Sequence, residues 1–206
     1  MNWLDAQTII SNLGNLAVIG VAAIIFFETA TILGSFLPGD SLLFILGLAL
    51  GTWLTSYPIA AALLIVTVAA IAGSQVGYFV GRKTGPRLFK RKDGWIFNHK
   101  TIERTESFFT RYGARAIVLA RFVPILRALI PMLVAMTNFD SRRFLRLNII
   151  GGFAWVVGVM TAGFLLGHIP FVKDHVEFFV LGFVIMSSLP LPIELLRERI
   201  KQNRAN

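Results

Sequence analysis

The chain has 206 residues, of which 55% are hydrophobic and only 15% are charged. A soluble domain of this length does not need so much apolar surface, and long runs nearly free of charge are typical of an integral membrane protein. The formal net charge is +9, but the basic residues lie between the apolar runs, and no aromatic and basic platform indicates nucleic acid binding. Cysteine is absent, which excludes disulfides and thiolate chemistry. We expect one polytopic membrane domain over residues 1–206.

The N-terminal half begins with an apolar run, Leu13–Phe27, that is predicted to be the first membrane span. The next segment, residues 28–56, is interrupted near its middle by Pro38 and Gly39. Its first ten residues would form about 15 Å of helix, which is half a bilayer. We therefore expect a re-entrant hairpin with its break at these two residues. The second full-length span, Tyr57–Gly81, follows it.

A polar, basic stretch over residues 82–115 separates this span from a second interrupted segment. Its scattered aromatic side chains favour an interfacial helix on the cytoplasmic face, and a solvated connector is the alternative. Residues 116–139 are apolar but contain Pro124 and Pro131. Proline lacks the N–H that a helix needs and clashes with the carbonyl four residues earlier, so both prolines are predicted breaks.

Two spans, Leu147–Gly167 and Val176–Ile193, and a basic tail over residues 194–206 complete the predicted elements. Basic clusters lie in the loop after the second span, at residues 142–146, and in the tail. The positive-inside rule places all three clusters, and hence the C-terminus, in the cytoplasm. Residues 116–139 must then enter and leave the membrane on the same face, as a second hairpin.

The predicted fold is therefore all-α, with about four transmembrane helices and two re-entrant helical hairpins that enter from opposite faces. Paired hairpins of this kind are typical of transporters built from inverted repeats, which hold their substrate near the middle of the membrane.

Four charged residues fall inside the apolar segments: Glu28, Asp40, Arg121 and Arg127. Charges at such positions are costly and usually functional. A guanidinium matches a phosphate with two parallel hydrogen bonds, so the arginines are candidate anion-binding residues. Ion pairing with the two acids is the structural alternative, and both roles are compatible. The acids are candidate proton carriers, although Asp40 could instead cap a helix that starts at Ser41.

Glycines recur at short intervals within the predicted helices, which is typical of close helix packing in membranes. They are Gly73, Gly77, Gly81, Gly151, Gly152 and Gly158.

Motifs of catalysis or metal binding are not visible in the chain. The sequence shows no nucleophile beside a base, no phosphate-binding loop and no dinucleotide fingerprint, and the three histidines lack metal-ligand spacing. We expect a protein that is not an enzyme and that needs neither a metal nor a cofactor. The sequence leaves homo-oligomerisation open.

Three motifs together resemble one family of membrane proteins. They are LPGDSLL at residues 37–43, preceded by Glu28, GSQVGY at residues 73–78, and RFVP at residues 121–124, followed by Arg127 and Pro131. The combination, over residues 24–167, resembles the DedA family, which has relatives among eukaryotic lipid scramblases with the VTT domain. The chain departs from the family pattern at Ala120, where glycine is frequent.

The resemblance implies a lipid transporter of the bacterial cytoplasmic membrane that moves undecaprenyl phosphate, or a phospholipid such as phosphatidylethanolamine, between leaflets. It also implies dependence on the proton motive force. The essential acids and arginines of the family correspond to Glu28, Asp40, Arg121 and Arg127 here. The expected partners are a lipid with an anionic phosphate headgroup and protons.

Three other functions compete with lipid transport. A proton-coupled ion or drug transporter would use Glu28 and Asp40 as carriers. An enzyme acting on lipid phosphates would use the arginines, but no nucleophile or metal set accompanies them. A membrane scaffold would use none of the four charges. Arginines in the second hairpin favour an anionic headgroup, because a cation would prefer acids alone.

Overall fold

The computed structural model describes residues 15–31, 34, 38–52, 54, 57–88, 109–136 and 139–174. Within these residues the regular secondary structure is helical throughout, which confirms the all-α prediction. The named elements are α1 (Asn15–Ala30), α2 (Gly39–Thr52), α3 (Ile59–Leu88), α4 (Arg115–Leu119), a 3₁₀ turn (Ala120–Phe122), α5 (Pro124–Met136), α6 (Ser141–Gly167) and α7 (Pro170–Asp174). The predicted span Val176–Ile193, the tail and most of the basic loop lie outside the described residues.

Two helices in the described part of the chain, α3 and α6, are long and apolar enough to cross a membrane. The apolar part of α3 is Ile59–Lys83, with 25 residues, and α6 has 27 residues. At 1.5 Å per residue each exceeds the ~30 Å of a bilayer core. These helices correspond to the second and third predicted spans. The count of four spans stays a prediction.

The helices α3 and α6 pack side by side and run in opposite directions. The ring of Tyr78, late in α3, stacks on Phe144, early in α6, with centroids 4.5 Å apart. Seven residues earlier in α3, the carbonyl of Ile71 accepts a 3.0 Å hydrogen bond from Asn148, which lies later in α6. The C-terminal end of α3 and the N-terminal end of α6 therefore lie on the same side, which is the geometry that the second hairpin requires.

The first hairpin differs from its prediction in where it begins. Glu28 was expected to open a separate arm, but α1 continues through it to Ala30. The main-chain ladder also continues past Glu28, because the Thr31 N–H donates to the Phe27 carbonyl at 3.1 Å. The hydroxyls of Thr29 and Thr31 add bonds to the Ile25 and Phe27 carbonyls at 2.8 Å and 3.0 Å. The expected break falls where α2 begins, at Gly39 directly after Pro38.

The second hairpin breaks at one proline and not at the other. After the 3₁₀ turn, Val123 adopts an extended conformation with φ −121° and ψ 112°, and α5 then starts at Pro124. Proline suits a first helical position, because that residue has no intrahelical N–H partner to lose. The predicted break at Pro131 is wrong, since this proline lies inside α5, which continues to Met136. Pro131 is buried, and tertiary packing can hold a helix that has lost one hydrogen bond.

Helices α2 and α6 make the most extensive contact between described elements, and glycines on both sides allow it. A Cβ added at Gly47 would collide with the carbonyl of Met160, and one added at Gly163 would collide with the carbonyl of Phe44. One turn further along, Gly51 and Gly167 meet main-chain atoms in the same way. Each helix therefore carries a small-xxx-small pair that allows close main-chain approach.

The six glycines predicted to support packing do so with one exception. Added side chains at Gly73, Gly77 and Gly81 would meet α1 or α5, and Gly151 and Gly152 lie against Arg121, Val118 or Ile71. Among the described residues nothing lies within 4 Å of the position that the Cβ of Gly158 would take, so this part of the chain provides no packing partner for it. The sequence shows spacing but not which side of a helix faces a neighbour.

We predict that Gly163→Ala destabilises the protein and that Gly158→Ala, on the same helix, does not. The first substitution forces a methyl group against the main chain of α2 and should cost about 1–3 kcal/mol. The second adds a methyl group that no described residue approaches within 4 Å, and it should be neutral or stabilising by up to ~1 kcal/mol. Thermal unfolding of the purified protein in detergent measures both. Equal melting temperatures for the two variants would contradict the glycine contact.

We also predict that cysteines replacing Arg82 and Arg143 are labelled from the same side of the membrane. Both residues are exposed and lie at the shared end of α3 and α6, where positive charge predicts the cytoplasm. A cysteine replacing Ile169, exposed beyond the other end of α6, should be labelled from the opposite side. A membrane-impermeant maleimide on intact cells and on inverted vesicles distinguishes the sides. Labelling of Arg82→Cys and Arg143→Cys from different sides would exclude the second hairpin.

Candidate functional site

A buried ion cluster centred on Arg127 joins α1, α2 and α5. Nη2 of Arg127 contacts Oε1 of Glu28, at the end of α1, and Nη1 donates a 3.0 Å hydrogen bond to Oδ1 of Asp40, at the start of α2. The side chains of Arg127 and Glu28 are 3% and 0% exposed, whereas that of Asp40 is 25% exposed. The structure thus places three of the four predicted charged residues together, and Asp40 is the most exposed of the three.

Asp40 is the second residue of α2, and from this position its side chain reaches Arg127. Because α2 starts at Gly39 rather than at Ser41, Asp40 lies inside the first turn and is not the residue that precedes the helix. The alternative, in which Asp40 caps a helix that starts at Ser41, is therefore wrong, because the helix starts two residues earlier. A carboxylate in the first turn is still favoured by the positive end of the helix dipole.

Gly39 has a role that its place at the hairpin break did not suggest. A Cβ at this position would overlap the carboxylate of Glu28. The absence of a side chain therefore lets the end of α1 and the start of α2 bring both acids to the same arginine.

A fourth helix contributes Trp155, which lies near the middle of α6 and is 1% exposed. Its indole Nε1 donates a 2.7 Å hydrogen bond to Oδ1 of Asp40, the same oxygen that Arg127 contacts. The Arg127 guanidinium carbon lies 5.0 Å from the centroid of the Trp155 ring, within the range of a cation–π contact. Trp155 therefore contacts both members of one ion pair.

The second arginine, Arg121, belongs to a different set of contacts. It lies in the 3₁₀ turn before α5 and is 3% exposed. Its Nη2 donates to the Ala70 carbonyl of α3 at 3.3 Å and to Oδ1 of Asn148 on α6. Asn148 in turn donates from Nδ2 to the Ile71 carbonyl at 3.0 Å. Among the described residues, Arg121 therefore shares no hydrogen-bond partner with Arg127.

Charge is distributed unevenly between the two arginines. Arg127 has two carboxylates, whereas among the described residues no carboxylate forms an ion pair with Arg121. Glu28 and Arg127 are the charged groups that act electrostatically on Arg121. If all four groups are ionised, the set as a whole is neutral, but the Arg127 cluster carries an excess negative charge and Arg121 an unbalanced positive one.

Two donor nitrogens of the arginines, Nη1 of Arg121 and Nε of Arg127, are buried without a hydrogen-bond partner in the described part of the chain. Buried donors are normally paired, so these nitrogens are candidate contacts for an acceptor-rich ligand such as a phosphate group. The described residues contain no group of three His, Asp or Glu side chains that could hold a metal ion.

Asn148 and Trp155 are the site residues that sequence reasoning missed. Neither is charged, and both stand within the long apolar run of α6. Their spacing of seven residues, which places them on one helical face, is a signal that the sequence contains. Their relevance follows only from the arginines that pack against them.

The residues that build this site lie within a known family of membrane proteins. The model of the VTT domain family matches residues 37–165, which is more than half of the chain and includes Asp40, both arginines, Asn148 and Trp155. The chain therefore belongs to the VTT domain family, as its motifs predicted.

Its relatives place it among the DedA membrane proteins. The chain is 35% identical to Protein DedA of Escherichia coli K12 over 182 residues, covering 88% of this chain and 83% of that protein. It is 34% identical to the inner membrane protein YghB of the same strain over 176 residues, covering 84% and 76%. An uncharacterized membrane protein of Mycobacterium tuberculosis is 36% identical over 197 residues, covering 96% and 85%. No solved structure matches the chain.

We predict that Glu28 and Arg127 are energetically coupled. Removing one member of a buried ion pair leaves the other charge unpaired, which typically costs ~3–5 kcal/mol. Glu28→Gln and Arg127→Gln should each lower the melting temperature, with Arg127→Gln worse because it strands two carboxylates. The double variant should be more stable than Arg127→Gln alone. Thermal unfolding of the four proteins measures the coupling.

Arg146→Gln is the matched control, since Arg146 is an exposed arginine on α6 and its loss should change the melting temperature little. Strictly additive effects of the two buried substitutions would show that the ion pair contributes nothing to stability.

Proposed function

We propose that this protein is a transporter that moves a lipid with an anionic phosphate headgroup, undecaprenyl phosphate or a phospholipid, between the leaflets of the bacterial cytoplasmic membrane. One observation carries the proposal. Two arginines are buried among apolar helices, and each keeps a donor nitrogen that has no hydrogen-bond partner among the described residues. Arginine is the residue best suited to phosphate, because its planar fork offers parallel hydrogen bonds.

The acids give this site a means of exchanging partners. In this structure Glu28 and Asp40 both contact Arg127. A phosphate that approached would compete with these carboxylates for the same guanidinium. Because unpaired buried charge is costly, a phosphate binds best when one carboxylate has been neutralised by a proton.

Asp40 is the better placed acid for that proton. Its side chain is 25% exposed, whereas Glu28 is fully buried. Protonation of Asp40 at the outer face would weaken its contact with Arg127 and free Nη1 for the headgroup. Loss of the proton toward the cytoplasm would restore the carboxylate and displace the lipid. Such a cycle couples inward lipid movement to the proton gradient without covalent chemistry, so the protein acts as a carrier and not as an enzyme.

A proton-coupled ion or drug transporter is the alternative that the two buried acids support. A cationic substrate would need free carboxylates, but both acids here contact Arg127. Their positive partner therefore favours an anionic substrate over a cationic one.

We predict that Arg121→Lys and Arg127→Lys each reduce lipid translocation about tenfold or more, because an ammonium cannot form the paired hydrogen bonds of a guanidinium. Purified protein in liposomes with labelled polyprenyl monophosphate, with and without an inward proton gradient, measures the rate. The exposed Arg146→Lys is the matched control and should behave as the parent. The uncharged polyprenol should not be moved.

Each part of the proposal has its own contrary result. Parental rates in both arginine variants would exclude the guanidinium contacts. Equal rates with and without the gradient would exclude proton coupling and leave a passive scramblase. Proton-coupled movement of a labelled cation, with no lipid movement, would establish the alternative.

A further inference from the structure

The two buried arginines are held in opposite ways, and the difference identifies a further residue of the site. We propose that Asn148 is a positioning residue that holds Nη2 of Arg121 with a neutral amide. Because the amide carries no negative charge, a phosphate group supplies that charge at Nη1 of Arg121. This assignment rests on the proposed function and adds a division of labour between the arginines. Arg121 is the arginine that is always available to bind an anion, whereas Arg127 is available only when its contacts with the two acids are weakened.

The hydrogen bonds of Asn148 leave its amide one orientation. Its two polar neighbours are the Ile71 carbonyl, which can only accept, and the Arg121 guanidinium, which can only donate. Nδ2 must therefore face Ile71, and Oδ1 must face Arg121. Because Asn148 is 1% exposed, water does not compete for either contact, and the amide ties the arginine to the main chain of α3.

The surrounding face of α6 is shaped to receive Arg121. Asn148, Gly151 and Gly152 are spaced three and four residues apart, so they share one side of the helix. A Cβ at Gly151 would lie 3.1 Å from Cγ of Arg121, and one at Gly152 would lie 3.7 Å from its Nη2. The side chain thus lies against bare main chain, and Asn148 holds its end.

These contacts satisfy only some of the hydrogen-bond donors of the Arg121 guanidinium. Nη2 has both the Ala70 carbonyl and the Asn148 amide, whereas Nη1 is buried and has no partner among the described residues. A buried donor normally finds an acceptor, and a buried cation normally finds an anion. Both needs point to a ligand group that is anionic and rich in acceptors.

The choice of an amide at residue 148 is informative, because a carboxylate has nearly the same shape. An aspartate there would give Arg121 an internal ion pair of the kind that Arg127 already has. It would also place negative charge where the phosphate must bind. The neutral amide keeps the geometry of such a pair and leaves the charge of Arg121 for the ligand.

The test compares Asn148→Asp with Asn148→Leu. The three side chains are similar in size, and both variants lose the hydrogen bond to Ile71, but only the aspartate can pair with Arg121. We expect Asn148→Asp to melt at a higher temperature than Asn148→Leu. We also expect Asn148→Asp to bind a phosphate ligand about tenfold more weakly than Asn148→Leu does, since like charges oppose binding. If the role of Asn148 were purely structural, the more stable of the two variants would also bind the phosphate ligand more tightly.

The probes are inorganic phosphate, a polyprenyl monophosphate and the uncharged polyprenol, each titrated against the full chain in detergent. Binding of polyprenyl monophosphate but not inorganic phosphate identifies a lipid headgroup, and binding of both identifies the phosphate group itself. Either result, with the opposite orders of stability and binding, supports the assignment.

Three results would overturn it. If the parent binds phosphate ligands and Asn148→Asp binds them as tightly, Asn148 does not reserve Arg121 and only the proposed function survives. If Asn148→Asp is the less stable of the two and also the weaker binder, the role of the amide is structural. If the parent binds neither phosphate probe, the proposed function fails and this assignment fails with it.

Discussion

The structure depends on satisfying one buried arginine. Arg127 lies where α1, α2, α5 and α6 meet, and each of the other three helices contributes one contact to it: Glu28, Asp40 and Trp155. A charge removed from water is tolerated only with close partners. The end of α1, the start of α2 and helix α5 are therefore drawn to the same point by a requirement that apolar packing alone would not impose. Gly39 serves this requirement too, because a side chain there would displace the Glu28 carboxylate.

The contacts of α2 with α6 differ in kind from those that hold the arginine. Gly47 and Gly163 bring main chain against main chain, and close-packed interfaces of this type resist gradual deformation. The contacts between Arg127 and the acids are polar and depend on charge. A conformational change linked to protonation would therefore leave α2 and α6 together and alter the junction of α1 and α2 with α5. On the proposed cycle, the two classes of contact would separate the part of the molecule that holds its shape from the part that responds to a proton.

Composition and charge placement predicted much of this molecule. Runs of apolar residues predicted α3 and α6, because length against bilayer thickness is a local property. Glu28 and Arg127 stood out because charge in an apolar run is costly wherever the chain folds. The errors have a common origin in tertiary packing. Pro131 continues its helix, and the importance of Trp155 appears only from the groups it touches. The glycine pairs that join α2 and α6 resemble Gly158 in sequence, but only the pairs face a neighbouring helix among the described elements.

A carrier that exchanges one partner of an arginine for another needs two states of similar free energy, because a ligand shifts an equilibrium only by its differential affinity for the two states. Two carboxylates on Arg127 would outcompete a single phosphate if nothing weakened them, and the lipid would never bind. No carboxylate at all would leave the phosphate bound too firmly to be released. A proton on one acid lies between these extremes, since it removes one competitor and returns it later. In the proposed cycle Arg121, held by a neutral amide, would add attraction that does not vary with that proton. One arginine that binds steadily and one that is switched by the proton would together allow a lipid headgroup to be captured and then released from the same place.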